Sequence, residues 1–217
     1  MKTTGVAVIG SGGIGTLRAH SCTQIPQVDY LAVCDTKQEK LGDLAAATNA
    51  DMRTSDYEEA IRDDRVGAVF VSTDEENHHG PAALAAELGK PVLIEKPFVL
   101  DLDEADDILA KAKASGSEVF VGYTQRFRRR YLLAKQAVQQ GQLGEIVMAM
   151  GKIYVTRPVG EAVASRSPNT TPSINTLTYL VDLILWYMEG KKPVEVYARA
   201  ASVVFKKYNR DDFQWMM

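Results

Sequence analysis

The chain has 217 residues, of which 46% are hydrophobic and 24% charged, with a formal net charge of −3. That length suits one large domain, or one full domain and part of another. The charge gives no reason to expect nucleic acid as a partner, and no apolar run approaches the roughly 20 residues that span a bilayer. The first element is the apolar run Val6-Ala7-Val8-Ile9, which predicts a strand. Gly10-Ser11-Gly12-Gly13-Ile14-Gly15 follows directly and opens a helix whose predicted inner face is Ile14, Leu17, Ser21 and Ile25. A second apolar run, Tyr30 to Cys34, ends on Asp35, twenty residues after Gly15. Strand, glycine turn, helix and acid in this order form a dinucleotide-binding fingerprint.

Each position in the fingerprint has a physical task. Gly10 allows the tight turn, Gly12 lets backbone approach a pyrophosphate, and Gly15 lets the helix pack close to the sheet. Gly13 and Ile14 lie at the helix N-terminus, where unpaired N–H groups and the positive dipole end meet phosphate. Asp35 accepts hydrogen bonds from ribose hydroxyls and repels a 2′-phosphate, so the expected cofactor is NAD. Lys37 is near enough to weaken that preference and keeps NADP as an alternative.

Further along, Leu41, Leu44 and Ala45 mark a helix near 37–48, and Ser55 with Glu58 reads as a capping box for a short helix ending near Arg62. Val66 to Val71 is a buried strand, Pro81 to Leu88 an alanine-rich helix closed by Gly89, and Pro91 to Ile94 the next strand. Asp101 with Glu104 caps a helix reaching about Ala114, and Glu118 to Gly122 is the last strand of the series. Alternating strands and helices, with strands apolar on both faces, predict an α/β fold: a doubly wound parallel sheet of Rossmann type over residues 1–123.

After Tyr123 the pattern changes. A helix is expected from Arg128 to Gln140, long strands from Glu145 to Thr156 and from Val194 to Phe205, a polar loop from Arg157 to Pro172, and a helix from a Ser173 cap to Glu189. Residues 124–217 therefore read as a partial α+β domain with a mostly antiparallel sheet. Two such strands are marginal alone. The apolar end at Trp215-Met216-Met217 is read as a sheet left incomplete, completed by another subunit, or cut short by truncation. Cys22 and Cys34 fall in core elements without redox or metal spacing, and the chain enters a strand with no secretory signal. A reducing cytoplasm is the expected location. His20, His78 and His79 offer no metal-ligand spacing, so no metal site is expected.

The motif that suggests chemistry is Glu95-Lys96-Pro97, at the carboxyl end of a central strand, where open α/β sheets bind ligands. A lysine there reaches a bound cofactor and a substrate together. Ser72, Thr73 and Asn77 follow another strand end, beside the nicotinamide half, and Arg126 is a further candidate for the cofactor cleft.

The glycine motif, Asp35, Ser72-Thr73, His78 with an alanine helix to Gly89-Lys90, Glu95-Lys96-Pro97, Gln125-Arg126-Phe127 and Val181 to Trp186 together resemble the Gfo/Idh/MocA oxidoreductases. The resemblance implies reversible hydride transfer between a nicotinamide and a hydroxyl carbon, often of a sugar or polyol. It implies a second domain whose open sheet joins copies into a homo-oligomer. It also implies that Lys96 contacts the nicotinamide ribose and the reacting hydroxyl, and it puts Glu95 and His78 among the cofactor-binding positions. The family's D-x-G-x-H-x-x-D stretch matches Asn175 to Asp182, with Asp182 kept, Asn175 for the first acid, Leu177 for glycine and Tyr179 for histidine. Tyr179 is then the candidate proton carrier, and Asn175 the candidate contact to a substrate hydroxyl. The readings of Tyr179 as a packing residue and of His78 as a helix cap stay open. Two function classes follow: a nicotinamide-dependent oxidoreductase with Lys96 and Tyr179 as its catalytic pair, or a catalytically inactive cofactor-binding relative acting as sensor or accessory subunit.

Overall fold

The computed structural model describes residues 3–166 and 169–217, with the side chains of residues 172 and 173 outside the description. The chain forms two compact units, Met1–Gly122 and Tyr123–Met217.

In the first unit, β1 (Thr4–Ile9), β2 (Val28–Cys34), β3 (Met52–Thr54), β4 (Val66–Val71), β5 (Val92–Ile94) and β6 (Val119–Val121) form one sheet in the order β3-β2-β1-β4-β5-β6. Every neighbouring pair is parallel. The order reverses between β1 and β4, which creates the crevice where doubly wound sheets take ligands. Helices α1 (Gly13–Cys22), α2 (Gln38–Thr48), α3 (Tyr57–Arg62), α4 (His79–Glu87) and α5 (Leu102–Ser115) make the crossovers.

The two-residue period of the strands divides the core. Val6 and Val8 point to a layer with Ala19, Cys22, Leu41 and Leu44 of α1 and α2. Ala7 and Ile9 point to the other layer, with Ile61 of α3, Ala82 to Ala86 of α4 and Ile108 of α5. Ile61, Ile94 and Ile108 are fully buried, each contributing about 2 kcal/mol by leaving water.

Two local expectations are corrected, and one strand is added. The inner face of α1 is Gly15, Ala19 and Cys22, while Ile14, Leu17 and Ile25 are exposed. Small residues let this helix lie against the sheet, so bulk was the wrong guide. The cap of α3 is Asp56, whose Oδ1 accepts from the Glu58 backbone N–H at 2.8 Å; Ser55 has no such role. Strand β3, only three residues long, was not anticipated.

In the second unit, α6 (Arg129–Gln139), α7 (Arg157–Arg166) and α8 (Pro172–Tyr187) precede an antiparallel hairpin of β7 (Ala198–Ala201) and β8 (Phe213–Met216). The expected loop at 157–172 is largely helix α7. The expected strand at 145–156 has no regular structure, and the one at 194–205 shrinks to four residues. The expected Ser173 cap concerns a side chain outside the description. Thr171 Oγ1 takes the capping role, accepting from the Ile174 N–H at 3.0 Å.

Lys135 of α6 is buried and serves as a clasp. Its Nζ donates to the Trp186 carbonyl and to Glu189 Oε2 (2.8 Å), so a cation closes the C-terminal end of α8.

Candidate functional site

At the carboxyl edge of the first sheet, two of the motif glycines are demanded by the fold. Gly10 has φ of 102°, and a Cβ there would stand 2.5 Å from the Ser72 carbonyl oxygen. A Cβ on Gly15 would stand 1.8 Å from the Gly10 carbonyl oxygen. Gly12 differs. Its φ is −67°, which any residue adopts, and a Cβ there meets nothing within 4 Å; Gly13 faces similar open space. The protein itself does not require glycine at 12, so the space it leaves is suited to another group.

The helix behind that space is prepared for an anion. No side chain caps α1, and its first turn holds no acid, so its leading N–H groups point outward uncompensated. Exposed Ile14 sits in that first turn. Ser72, on the loop after β4, is buried with its Oγ lacking a hydrogen-bond partner. An open glycine cradle and a bare helix end together fit the pyrophosphate of a dinucleotide.

Asp35 directly follows β2 and is held by three hydrogen bonds. Oδ2 accepts the Ser11 backbone N–H at 2.7 Å and the Ser11 hydroxyl at 2.6 Å, and Oδ1 accepts the Lys37 N–H at 2.8 Å. Burial pushes its pKa up, but the bonds from Ser11 and Lys37 outweigh it and hold the carboxyl below its ordinary value of 3.8. The group is a fixed anion with acceptor capacity to spare for a ribose hydroxyl. Ser11 was not singled out from the sequence; a hydroxyl residue inside the glycine turn was the available signal.

Lys96, half-buried, leaves the carboxyl end of β5 on a turn whose Lys96–Pro97 peptide is cis. Glu95 is buried, and its Oε1 accepts from Arg18 Nη2 at 2.6 Å and Nε at 3.0 Å. Expected as a cofactor contact, Glu95 is instead engaged by a side chain of α1. His78 is 1% exposed, with Nδ1 at 3.0 Å from the Pro97 carbonyl oxygen and Nε2 at 3.2 Å from that of Thr73. It makes no side-chain cap to α4, and it has no surface to offer a ligand. Both open readings of His78 give way to a third: it staples the loop after β4 to the turn after Lys96.

Thr73 Oγ1 donates to the Asn77 carbonyl at 3.1 Å, so these two residues brace a one-turn 3₁₀ segment, Glu75–Asn77. Asn77 is exposed. Lys90 closes the end of α3 by donating to the carbonyls of Ile61 and Asp63 (2.9 Å).

In the second unit, Asn175, Tyr179 and Asp182 are spaced four and three apart on α8, so one face of the helix carries all three. Asn175 and Tyr179 are half-buried, and Tyr179 meets the Tyr123 ring edge-on at 6.3 Å between centroids. Asp182 is buried and takes Arg126 in a forked pair, with Nε at 2.9 Å from Oδ2 and Nη2 on Oδ1. The Arg126 guanidinium also stands 5.5 Å from the Trp186 ring centroid. Arg126, expected at a cofactor cleft, is paired through Nε and Nη2 with the acid of its own unit.

Burial pushes the Cys22 thiol up to about 11 and the Cys34 thiol up to about 12, which marks both as packing residues. Among the described residues no cluster of three metal-ligating side chains occurs, and no helix is long and apolar enough to cross a membrane.

Comparison with known proteins agrees with this geometry. Residues 4–123 match the model of an oxidoreductase family with an NAD-binding Rossmann fold, GFO/IDH/MocA, and residues 131–217 match a C-terminal domain of the same family. The chain is 27% identical over 207 residues to the uncharacterized oxidoreductase YrbE of Bacillus subtilis, covering 91% of this chain and 57% of that protein. It is 29% identical over 140 residues to myo-inositol 2-dehydrogenase of Thermotoga maritima, covering 64% of this chain and 42% of that one. The fold is similar to that of scyllo-inositol dehydrogenase from Lactobacillus casei, solved with NAD(H) and scyllo-inositol. There the TM-score is 0.85 at 20% identity, over 99% of this chain and 65% of the other. The chain thus spans less than two thirds of each of these relatives. With the fingerprint, its sheet and a family match over both units, the chain belongs to the GFO/IDH/MocA oxidoreductases and carries their NAD-binding Rossmann domain.

Proposed function

We propose that this chain is part of a reversible NAD-dependent dehydrogenase acting on a CH–OH carbon of a sugar or polyol. The observation that carries the proposal is the open cradle at Gly12, set before an uncapped helix end and beside a pinned Asp35. In relatives, the printed descriptions include inositol dehydrogenases and a complex with NAD(H) and scyllo-inositol, which supports a polyol-like substrate class.

A bound nicotinamide supplies the hydride acceptor or donor. Gly10, Gly12, Gly13, Ile14 and Gly15 form the pyrophosphate turn, and Asp35 selects the unphosphorylated ribose. Lys96 holds the reacting oxygen through its ammonium, and Tyr179 takes or returns the proton, with Asn175 contacting a substrate hydroxyl. Residues 1–123 form the cofactor domain and 124–217 part of the substrate domain. The enzyme is cytoplasmic. It assembles with copies of itself through the second unit, where Phe213, Trp215 and Met216 of β8 are exposed.

The test is a fluorescence titration with NADH followed by a turnover screen on inositols, sugars and their keto forms. Binding with turnover, lost in Lys96→Ala with cofactor affinity nearly unchanged, is the expected result. One observation favours a second reading: Asn175, Leu177 and Tyr179 replace the acid, glycine and histidine that the resemblance leads one to expect. NADH binding without turnover across the screen would make the chain a cofactor-binding relative that has lost catalysis.

A further inference from the structure

The turn that carries Lys96 is held on both sides. Before it, the Glu95 backbone N–H donates to the Val71 carbonyl at 2.9 Å, and the Glu95 carboxylate takes two N–H groups of Arg18. After it, His78 lies against the carbonyls of Pro97 and Phe98 at 3.0 and 3.2 Å. Arg18 belongs to α1, the helix whose N-terminus faces the glycine cradle.

The Arg18–Glu95 pair is short, with Nε and Nη2 of Arg18 converging on Oε1 of Glu95, and mostly withdrawn from water, with side chains 23% and 11% exposed. Two N–H groups of one rigid guanidinium on a single oxygen limit how the two side chains turn relative to each other. The space for the pair is reserved by a third residue. A Cβ on Gly122 would stand 2.9 Å from Glu95 Oε2 and 3.1 Å from its Cδ. Gly122 has no positive φ to explain the glycine, so the clearance for the carboxylate is what the residue provides.

We propose that Arg18 and Glu95, with the clearance at Gly122, are positioning residues for Lys96, a strut that ties the cofactor helix to the turn bearing the catalytic lysine. A lysine side chain has four rotating bonds, and ordering it costs conformational entropy. Fixing the stem by fixing the residues on either side leaves only the side chain itself to be ordered. The strut also gives the cofactor helix and the lysine turn a shared rigid element, as a supporting shell must if a site is to hold its geometry. The inference rests on the catalytic reading of Lys96, but the strut can be tested without turnover.

The experiment uses the full chain with its lysines reductively dimethylated with 13C, which keeps their charge. The Lys96 signal is assigned by its loss in Lys96→Arg. In the cofactor-free chain, the displacement of that signal from its position in urea should fall by half or more in Arg18→Met, in Glu95→Gln and in Gly122→Ala. Arg18→Lys, which restores a cation, should recover part of it. NADH affinity should change less than about threefold, since the glycine cradle is untouched. Gly122→Ala alters no charge and carries the test if Arg18→Met does not fold. A Lys96 signal unmoved in folded Glu95→Gln and Gly122→Ala overturns the strut. So does unfolding of both variants, which would make the pair a scaffold element only. A catalytic failure reads differently: if Lys96→Ala retains full turnover while the strut variants still shift the signal, the role given to Lys96 falls and the strut stands.

Discussion

Ser11 bonds Asp35 twice, through its backbone N–H at 2.7 Å and its hydroxyl at 2.6 Å, both on Oδ2. One residue of the glycine turn therefore orients the acid that follows the neighbouring strand. The glycine turn and the acid after β2 are one hydrogen-bonded unit. Asp35→Ala should remove the charge that repels a 2′-phosphate and raise NADP affinity relative to NAD by about tenfold or more, the equivalent of about 1.4 kcal/mol. Ser11→Ala should weaken NAD binding by less, since one neutral hydrogen bond contributes about 1 kcal/mol. Parallel titrations with NADH and NADPH check both. If the unaltered chain already prefers NADPH, the assignment of Asp35 is wrong.

The same three bonds set an acid limit. The folded chain holds the Asp35 carboxyl below its ordinary 3.8, so the unfolded chain binds that proton first. Stability from this group is present above pH 3.8 and is lost as pH falls through the folded value. Acid unfolding of Asp35→Asn should therefore be less steep below pH 4 than that of the parent. Circular dichroism across an acid titration gives the comparison.

Gly12 and Gly15 separate binding from folding. A Cβ at Gly15 collides with the Gly10 carbonyl at 1.8 Å, and backbone cannot yield as a side-chain tip can. Gly15→Ala should cost several kcal/mol, in the range of severe overpacking, and lower the melting temperature of the first unit. Gly12→Ala meets open space and should leave the melting temperature within a few degrees while reducing NADH affinity at least tenfold. Calorimetry beside the NADH titration checks both; full NADH binding in Gly12→Ala would remove the cradle from the argument.

Much of the first unit is legible because local signals and tertiary need coincide there. The runs at Val6–Ile9 and Val66–Val71 have nowhere to go but the inside of a parallel sheet, and Gly10 and Gly15 are required by backbone contacts as well as by the motif. Bulk misled at α1, where Ala19 and Gly15 face inward because closeness, not volume, is what packs this helix. The reading failed most at 145–156. Val147, Met148, Met150 and Tyr154 are exposed, and that segment pairs with no strand among the described residues. Alternation marks a segment able to be a strand, whereas a strand exists only with a partner for its backbone. Glu95, His78 and Arg126 were found by motif, but their work is to hold neighbours through partners 77, 19 and 56 residues away. No single-sequence pattern carries such separations.

Cys22 and Cys34 predict an alkaline limit and a chemical one. Burial raises their pKa values to about 11 and about 12 from 9.0, so the native chain keeps both protons where the unfolded chain loses them. The resulting stability is complete below pH 9 and is lost as pH rises toward the folded values. At pH 8 neither thiol should react with a disulfide reagent on the time scale of minutes, and both should react at once in denaturant. A rapid native reaction of either would mean that its strand or helix opens.

Asp182 and Arg126 provide the clearest test of how the second unit is held. The carboxylate is 6% exposed at its side chain, and the guanidinium 38%, so only the acid is deeply withdrawn from water. Asp182→Asn keeps the shape but takes the charge from the forked pair, leaving a half-buried guanidinium beside a neutral amide. The cost should be about 1–3 kcal/mol, less than for a fully buried pair because water still reaches the arginine. Arg126→Met leaves the more costly orphan, an unpaired buried carboxylate, and should destabilise the unit more than Asp182→Asn does. The double variant Arg126→Met/Asp182→Leu should recover part of that loss, since replacing both charges removes the orphan. Urea unfolding monitored by Trp186, whose ring lies 5.5 Å from the guanidinium, reads all three. Loss in Arg126→Met with little loss in Asp182→Asn and no recovery in the double would mean that the arginine acts through its packing on Trp186 rather than through the acid.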